Sequence, residues 1–176
     1  MKLAILVGAM LLALVAGFTD FRSRRIPNWL TVPGLVIGVA VNIWVGGWGG
    51  LKASLLGAGL GLLLLLPFVA LRSLGAGDWK LAGALGAFVG WSLLLDLLFA
   101  SVFVAGIMAV ALIIYKRRIR ETLRNMWHIV TSLVMFHMPG PEVSLDNPKS
   151  VKIPYGVALA FTVLLYGGRQ LWSLRK

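Results

Sequence analysis

Long apolar stretches, separated by short polar ones, make up most of this chain. The stretch at residues 55–71, for example, carries no charged side chain. Each stretch is close to the roughly 17–25 residues that an α-helix needs to cross a bilayer. The pattern predicts an all-α membrane protein, a bundle of six transmembrane helices that forms a single domain over residues 1–176. The predicted spans are residues 3–19, 29–45, 51–71, 79–95, 97–115 and 153–168.

The connections between these spans are short, except for residues 116–152. Ile119, Leu123, Trp127 and Val130 recur there at helical spacing with charged residues beside them. Such a pattern predicts an amphipathic helix lying on the membrane surface, before the last span. The rest of the connection is rich in Pro, Asp and Asn and predicts a loop.

The first apolar stretch resembles a secretory signal peptide, because a single Lys2 precedes it. However, Ala13 and Ala16 make a poor cleavage site, and the stretch ends in the basic sequence TDFRSRR (19–25). A basic end of this kind is typical of a helix that stops at the cytoplasmic face. We therefore expect the first helix to be retained.

Composition agrees with a membrane protein, since only 13% of the residues are charged, against about 25% in soluble domains. The net charge of +11 does not predict nucleic-acid binding, because no basic soluble segment stands out to hold it. Of the 17 Lys and Arg residues, 12 lie in the connections after spans one, three and five. This bias predicts that those connections are cytoplasmic and contact membrane lipid, with both termini outside. The basic C-terminal tail is the exception.

Residues that bind metals or form disulfides are few. The chain has no cysteine, which rules out disulfides and thiol nucleophiles within it. His128 and His137 are nine residues apart, without an acidic or histidine partner at metal-binding spacing. We expect no metal and no cofactor.

The six acidic residues differ in their surroundings. Glu121, Glu142 and Asp146 belong to the polar connection, where a solvated position is expected, and Asp96 is predicted to be a turn residue between spans four and five. Asp20 and Asp78 remain, and both are predicted at the cytoplasmic ends of apolar spans.

Carboxylates at the membrane edge are costly and tend to face the interior of a helix bundle. Two of them brought together can share one proton, so that one activates water while the other polarises a peptide carbonyl. Two structural alternatives stay open. Asp20 can pair with the arginines that follow it, and Asp78 can be the N-cap of the next helix.

Three short motifs give these aspartates a more specific interpretation. They are GAGDWKL (75–81), TDFRSRRIPNWLT (19–31) and KIPYGVALAF (152–161). In this order they resemble the type IV prepilin peptidases, a branch of the GxGD intramembrane aspartyl proteases. The resemblance implies that Asp20 and Asp78 are the catalytic pair. The residues that the resemblance implies as binding substrate or shaping the site are Gly75, Gly77, Lys80, Pro27, Asn28, Pro154 and Gly156.

Some of these residues have expected structural roles. We expect Gly75 and Gly77 to allow a tight turn and the close approach of a substrate strand. We expect Pro27 to occupy the first turn of the second helix.

The resemblance implies an aspartic endopeptidase that cleaves the leader peptide of prepilin-like proteins at the cytoplasmic face of the inner membrane. Because the paired Cys-x-x-Cys of the longer relatives is absent, the chain resembles the short, peptidase-only type of tight-adherence (Flp) pili, without methyltransferase activity. An archaeal-type preflagellin peptidase is one alternative. A small cation or proton transporter that uses the two aspartates, and a non-enzymatic assembly protein, are others.

Overall fold

The computed structural model describes residues 3–71, 74–116, 127 and 154–173. These residues form four helices by hydrogen-bonding pattern: α1 (Leu3–Ser23), α2 (Asn28–Ala70), α3 (Ala76–Tyr115) and α4 (Tyr155–Ser173). No strand occurs among them. The predicted all-α class is therefore confirmed. The predicted surface helix and loop of the long connection lie outside the described residues, apart from Trp127 and the terminal Lys116.

Glycines break both of the long helices. Gly47 in α2 has φ 55° and ψ −135°, and Gly90 in α3 has φ 77° and ψ 174°. Only glycine adopts such angles readily. A Cβ atom placed on Gly50 would collide with the backbone carbonyl of Asn42. In a straight helix these two residues, eight positions apart, would be separated by about 12 Å. The chain therefore reverses direction at Gly47.

The break in α3 lies six residues before the predicted one. Asp96, expected to be the turn residue between spans four and five, is instead helical and exposed. The reversal occurs at Gly90, and a Cβ on Gly86 would lie 2.9 Å from Leu94 Cδ2 across it. A backbone with φ 77° disfavours a side chain such as aspartate, which explains why the glycine is the turn residue.

The break at Gly90 is buried, so its free backbone groups need partners within the protein. Asn42 Nδ2 donates to the carbonyl oxygens of Ala87 and Phe88, each at 2.8 Å. Ser54 Oγ also donates to Ala87 O, at 2.7 Å. Two polar side chains from both halves of α2 thus stabilise a helix end that cannot reach water.

The first half of α3 is the centre of the fold. Every residue from Leu81 to Phe88 is buried, as expected for a helix that is apolar on all sides. Small residues allow the second half of α2 to come close, because a Cβ on Gly57 would collide with the carbonyl of Gly86 and one on Gly61 would lie 2.7 Å from Ala82 O. This close contact holds the start of α3 in place.

The helices α1 and α4 pack beside this centre. A Cβ on Gly8 would lie 2.5 Å from the Phe88 ring, whereas one on Gly17 would lie 2.7 Å from Ala160 Cβ. A Cβ on Gly167 would collide with Met10, and Asp78 lies near Asp20. The helix α1 therefore runs antiparallel to α4 and to the first half of α3. This arrangement brings the last turn of α1 to the first turns of α3 and α4.

The outer surface is largely apolar, which suits a lipid environment. Within the described residues, α1, α2 and α3 are long and apolar enough to cross a membrane. Trp44 and Trp48, on either side of the reversal at Gly47, are 84% and 72% exposed. Exposed tryptophans are typical of the interface between membrane and water.

The reversal at Gly47 yields a direct test of fold stability. We expect Gly47→Ala to destabilise the protein by about 1–3 kcal/mol, because alanine is strained at this backbone geometry. Gly46→Ala is the matched control. Both glycines have no heavy atom within 4 Å of a built Cβ, but only Gly47 has a positive φ. Reversible unfolding in detergent gives the free energy of unfolding of both variants. Equal values would contradict the assignment of Gly47 as the residue at which the chain reverses.

Candidate active site

Asp20 lies in the last turn of α1 and is only 6% exposed. Its Oδ2 accepts a hydrogen bond from the backbone N–H of Val157 in α4, at 3.2 Å. Arg24, one turn further along, is close enough to interact with the charge of the carboxyl group. Asp20 therefore faces the protein interior and contacts α4, in addition to any interaction with the basic segment that follows it.

Asp78 is the third residue of α3 and is partly buried. The residue at the N-cap is Gly75, with extended backbone and no side-chain cap, so the alternative that Asp78 is the N-cap is wrong. Asp78 Oδ1 is buried and has no hydrogen-bond partner among the residues that the structure describes. A buried acceptor without a partner is uncommon and calls for an explanation, of which a catalytic role is one.

Gly156 in the first turn of α4 lies against both carboxyl groups. A Cβ built on it would be 2.9 Å from Asp20 Oδ2 and 3.1 Å from Asp78 Oδ1. The two oxygens are therefore at most about 6 Å apart, the sum of these distances. One water molecule can bridge two carboxyl oxygens up to about 5.6 Å apart, since each O–H···O hydrogen bond is about 2.8 Å long, and this bound allows such a separation.

The N-terminus of α4 points at the pair. Pro154 precedes the helix, and its carbonyl accepts hydrogen bonds from the N–H groups of Val157 and Ala158, at 3.2 and 3.4 Å. The N–H of Gly156 interacts with both carboxyl groups. A helix N-terminus carries partial positive charge and stabilises negative charge beside it. It can therefore offset part of the repulsion between two carboxylates.

A cavity of about 330 Å³ opens onto the pair. Lys80 Nζ donates to Asn28 Oδ1 at 2.9 Å and so links α3 to the start of α2 beside the cavity. The residues that line the cavity are Asp20, Arg24, Arg25, Ile26, Asn28, Gly75, Ala76, Gly77, Asp78 and Lys80. Most of the residues predicted for the site thus surround one cavity, whose lining includes several charged side chains.

The remaining predicted site residues lie beside it. Pro27 is the N-cap of α2, with φ −75° and ψ 149°, one position before the first turn expected for it. Pro154 and Gly156 belong to the start of α4, as described above. The structure therefore brings all nine predicted residues to one end of the bundle.

The two glycines of GAGD are explained by space rather than by a tight turn. The backbone of Gly75 is extended, with φ −69° and ψ 140°, which any residue adopts. A Cβ there would lie 2.9 Å from Asp78 Oδ2. A Cβ on Gly77 would lie 3.1 Å from the carbonyl oxygen of Ile26. Position 77 therefore requires glycine because the protein's own backbone, at Ile26, comes close to it.

Several contributors to the site were not predicted, among them Arg24, Arg25 and Ala76 in the lining of the cavity. Ile26 packs against both Gly77 and Gly156, the N–H of Val157 binds Asp20, and the hydroxyl of Tyr155 binds Ser101 of α3 at 2.8 Å. Tyr155 stands inside the quoted KIPYG motif, which was a usable signal. A backbone N–H and a contact between distant residues leave no such signal in the sequence.

Comparison with known proteins identifies the family of this chain. The sequence profile of the type IV leader peptidase family matches residues 6–110, which is more than half of the chain. The chain therefore belongs to this family, and the resemblance derived from the motifs is confirmed. The match includes Asp20 and Asp78, whereas α4 lies beyond it. With its apolar helices, the chain is a multi-pass membrane protein.

Two curated relatives carry more specific names. The prepilin leader peptidase/N-methyltransferase of Burkholderia pseudomallei is 41% identical over 93 residues, 49% of this chain and 29% of that protein. The protein of the same name from Aeromonas hydrophila is 33% identical over 120 residues, 64% of this chain and 40% of that protein. The chain thus spans less than half the length of each relative. No solved structure matches it.

Proposed function

We propose that this protein is a membrane aspartic endopeptidase that removes the leader peptide of prepilin-like proteins, with Asp20 and Asp78 as its catalytic pair. The observation that carries the proposal is the position of the two carboxyl groups. Two oxygens from helices distant in sequence lie within about 3 Å of one point beside Gly156. Membership in the leader peptidase family supports the same reaction.

The chemistry follows from two carboxyl groups that share one water molecule. One carboxylate accepts a proton from the water as the water oxygen attacks the scissile carbonyl carbon. The other, protonated, donates to the carbonyl oxygen, and a proton then reaches the leaving amine as the C–N bond breaks. Carboxyl groups at short range favour one shared proton, because the second ionisation is opposed by the first charge.

The substrate must reach the pair in extended form. The peptide groups of a helix are hydrogen-bonded to one another, so the stretch to be cleaved has to unwind first. A glycine before the apolar helix of the substrate lowers the cost of unwinding. The cavity beside the pair, lined by backbone at Gly75 and Gly77, offers room for such a segment.

We propose six membrane crossings for the chain, with this site at the cytoplasmic face of the inner membrane. The breaks at Gly47 and Gly90 divide α2 and α3 into four segments, and α1 and α4 complete six. The first half of α3 has only 14 residues (76–89), fewer than a crossing normally needs. Residues 81–88 are buried among the other helices, so this part of the segment is shielded from lipid and need not match the thickness of the bilayer. The excess of Lys and Arg on the side of the pair supports the orientation.

We also propose that the protein cleaves without methylating the new N-terminus and belongs to the short type that serves tight-adherence pili. The absence of cysteine from the chain supports this narrower assignment. Its family membership favours a peptidase over the alternative of a cation or proton transporter. The archaeal-type alternative acts by the same chemistry and differs in its substrate.

A defined substrate tests the proposal. We expect the purified protein, in lipid nanodiscs, to cleave a prepilin-like protein that has a basic leader, a glycine and an apolar helix, directly after the glycine. Replacing that glycine by leucine should lower the rate about 3- to 5-fold, because the helix then unwinds less readily. N-terminal sequencing and the mass of the product, with a methyl donor present, report the cleavage position and any methylation. Cleavage elsewhere, or none, would contradict the proposal.

A further inference from the structure

A partly buried hydrogen bond joins the first residue of α4 to the second half of α3. The hydroxyl oxygen of Tyr155 lies 2.8 Å from Ser101 Oγ. Ser101 is fully buried, and the two residues are 54 positions apart in the sequence. Neither residue has a part in the chemistry described above.

The direction of this hydrogen bond follows from the contacts of Ser101. Its Oγ also lies 2.7 Å from the carbonyl oxygen of Leu98 and donates to it. A serine hydroxyl has a single hydrogen, so Ser101 has none left for Tyr155. The Tyr155 hydroxyl is therefore the donor, and Ser101 Oγ is the acceptor.

The surroundings of the bond are apolar. Tyr155 lines a cavity of about 400 Å³ between α2 and α3. The other residues of this lining are Leu64, Leu65, Phe68, Leu74, Leu95, Leu98, Phe99 and Val102. Water competes poorly for a hydrogen bond in such surroundings, which makes the bond stronger and its loss more costly.

Tyr155 directly precedes the residues that contact the two carboxyl groups. Gly156 lies against both of them, and the N–H of Val157 donates to Asp20. The first turn of α4 is thus held at two points, by Asp20 on α1 and by Ser101 on α3. Ser101 lies in the second half of α3, after the reversal at Gly90, whereas Asp78 lies in the first half. Both halves of α3 therefore contact the first turn of α4.

We propose that Tyr155 is a positioning residue, whose hydroxyl, held by Ser101, fixes the first turn of α4 against the aspartate pair. This inference rests on the proposed function, since the geometry it maintains is that of the proposed peptidase. Without the hydroxyl, one of the two hydrogen bonds at the start of α4 is lost, and the N–H groups of Gly156 and Val157 are held less firmly at their distance from the carboxyl groups. Small misplacements of groups beside a reacting centre lower turnover strongly.

The variants Tyr155→Phe, Ser101→Ala and the double variant test the inference. We expect each single variant to lower kcat for prepilin cleavage about 2- to 10-fold, the effect of one hydrogen bond. KM should not change, because neither side chain is placed to contact the substrate. The double variant should be no slower than the slower single variant, because both substitutions remove the same bond.

A second measurement does not depend on activity. Hydrogen exchange at the backbone amides of residues 155–158, followed by mass spectrometry, should be faster in Tyr155→Phe than in the unmodified protein. Thr162→Val is the matched control, because the Thr162 hydroxyl is also buried in α4 but donates only to Ala158 O of its own helix, at 2.9 Å. It should change neither kcat nor exchange at residues 155–158.

The outcomes separate the two proposals. Unchanged exchange and unchanged kcat in Tyr155→Phe would overturn the positioning role. Reductions in kcat that are fully additive in the double variant would overturn it as well. If the unmodified protein cleaves no prepilin, the proposed function fails, and the exchange measurement still decides whether Tyr155 fixes the start of α4. Faster exchange with a lower kcat at unchanged KM supports both.

Discussion

We expect Asp20→Asn and Asp78→Asn each to lower prepilin cleavage by about a thousandfold or more. Asparagine keeps the shape of the side chain but can neither accept the proton of the attacking water nor carry a shared proton. Positioned acid and base groups typically contribute about 10²–10⁴-fold to a rate. Because the two groups act on one water molecule, the double variant should be little slower than either single variant.

Asp96→Asn provides the matched control for this experiment. Asp96 lies on the same helix as Asp78 but is exposed, beyond the reversal at Gly90. Leader removal is followed by the shift in mobility of a co-expressed prepilin, with protein amounts compared in the membrane fraction. Processing at the unmodified rate by either Asp20→Asn or Asp78→Asn would show that the catalytic assignment is wrong.

The second large effect is expected at Gly156, where a single methyl group should reduce cleavage at least a hundredfold. In Gly156→Ala the new Cβ would lie 2.7 Å from Ile26 Cδ1, 2.9 Å from Asp20 Oδ2 and 3.1 Å from Asp78 Oδ1. The methyl group would therefore push the carboxyl groups apart or displace α4. A shift of about 1 Å at a reacting centre can cost a hundredfold in rate.

Gly168→Ala is the control on the same helix, since no heavy atom lies within 4 Å of a Cβ built there. It should cleave at the unmodified rate and gain slightly in stability, because alanine favours a helix more than glycine does. A single-turnover measurement with excess enzyme separates a slower chemical step from weaker substrate binding. A Gly156→Ala variant that retains full activity would rule out the close placement of α4 against the pair.

Much of the site was recognisable because it interrupts the apolar pattern. Asp20 and Asp78 stand out in a chain with only six acidic residues, and both occur in short motifs with glycine or proline. The structure places them together, whereas their catalytic role stays a prediction that the Asn variants test. The predicted boundary between the fourth and fifth spans, at Asp96, was wrong. Asp96 is the more polar residue, but Gly90 is the one whose backbone can adopt the turn.

The sequence by itself determined the class of fold, the approximate positions of the helices and the identity of the site residues that lie at one end of the bundle. Apolar stretches of membrane length, and polar residues that lipid disfavours, are local properties and can be read along the chain. The tertiary structure alone decided which distant groups meet, as in Tyr155 with Ser101, Asn42 with the carbonyls freed near Gly90, and Gly156 with the two carboxyl groups. These contacts depend on where two glycines reverse the chain and on how closely small residues let the helices pack, and no local pattern carries that information.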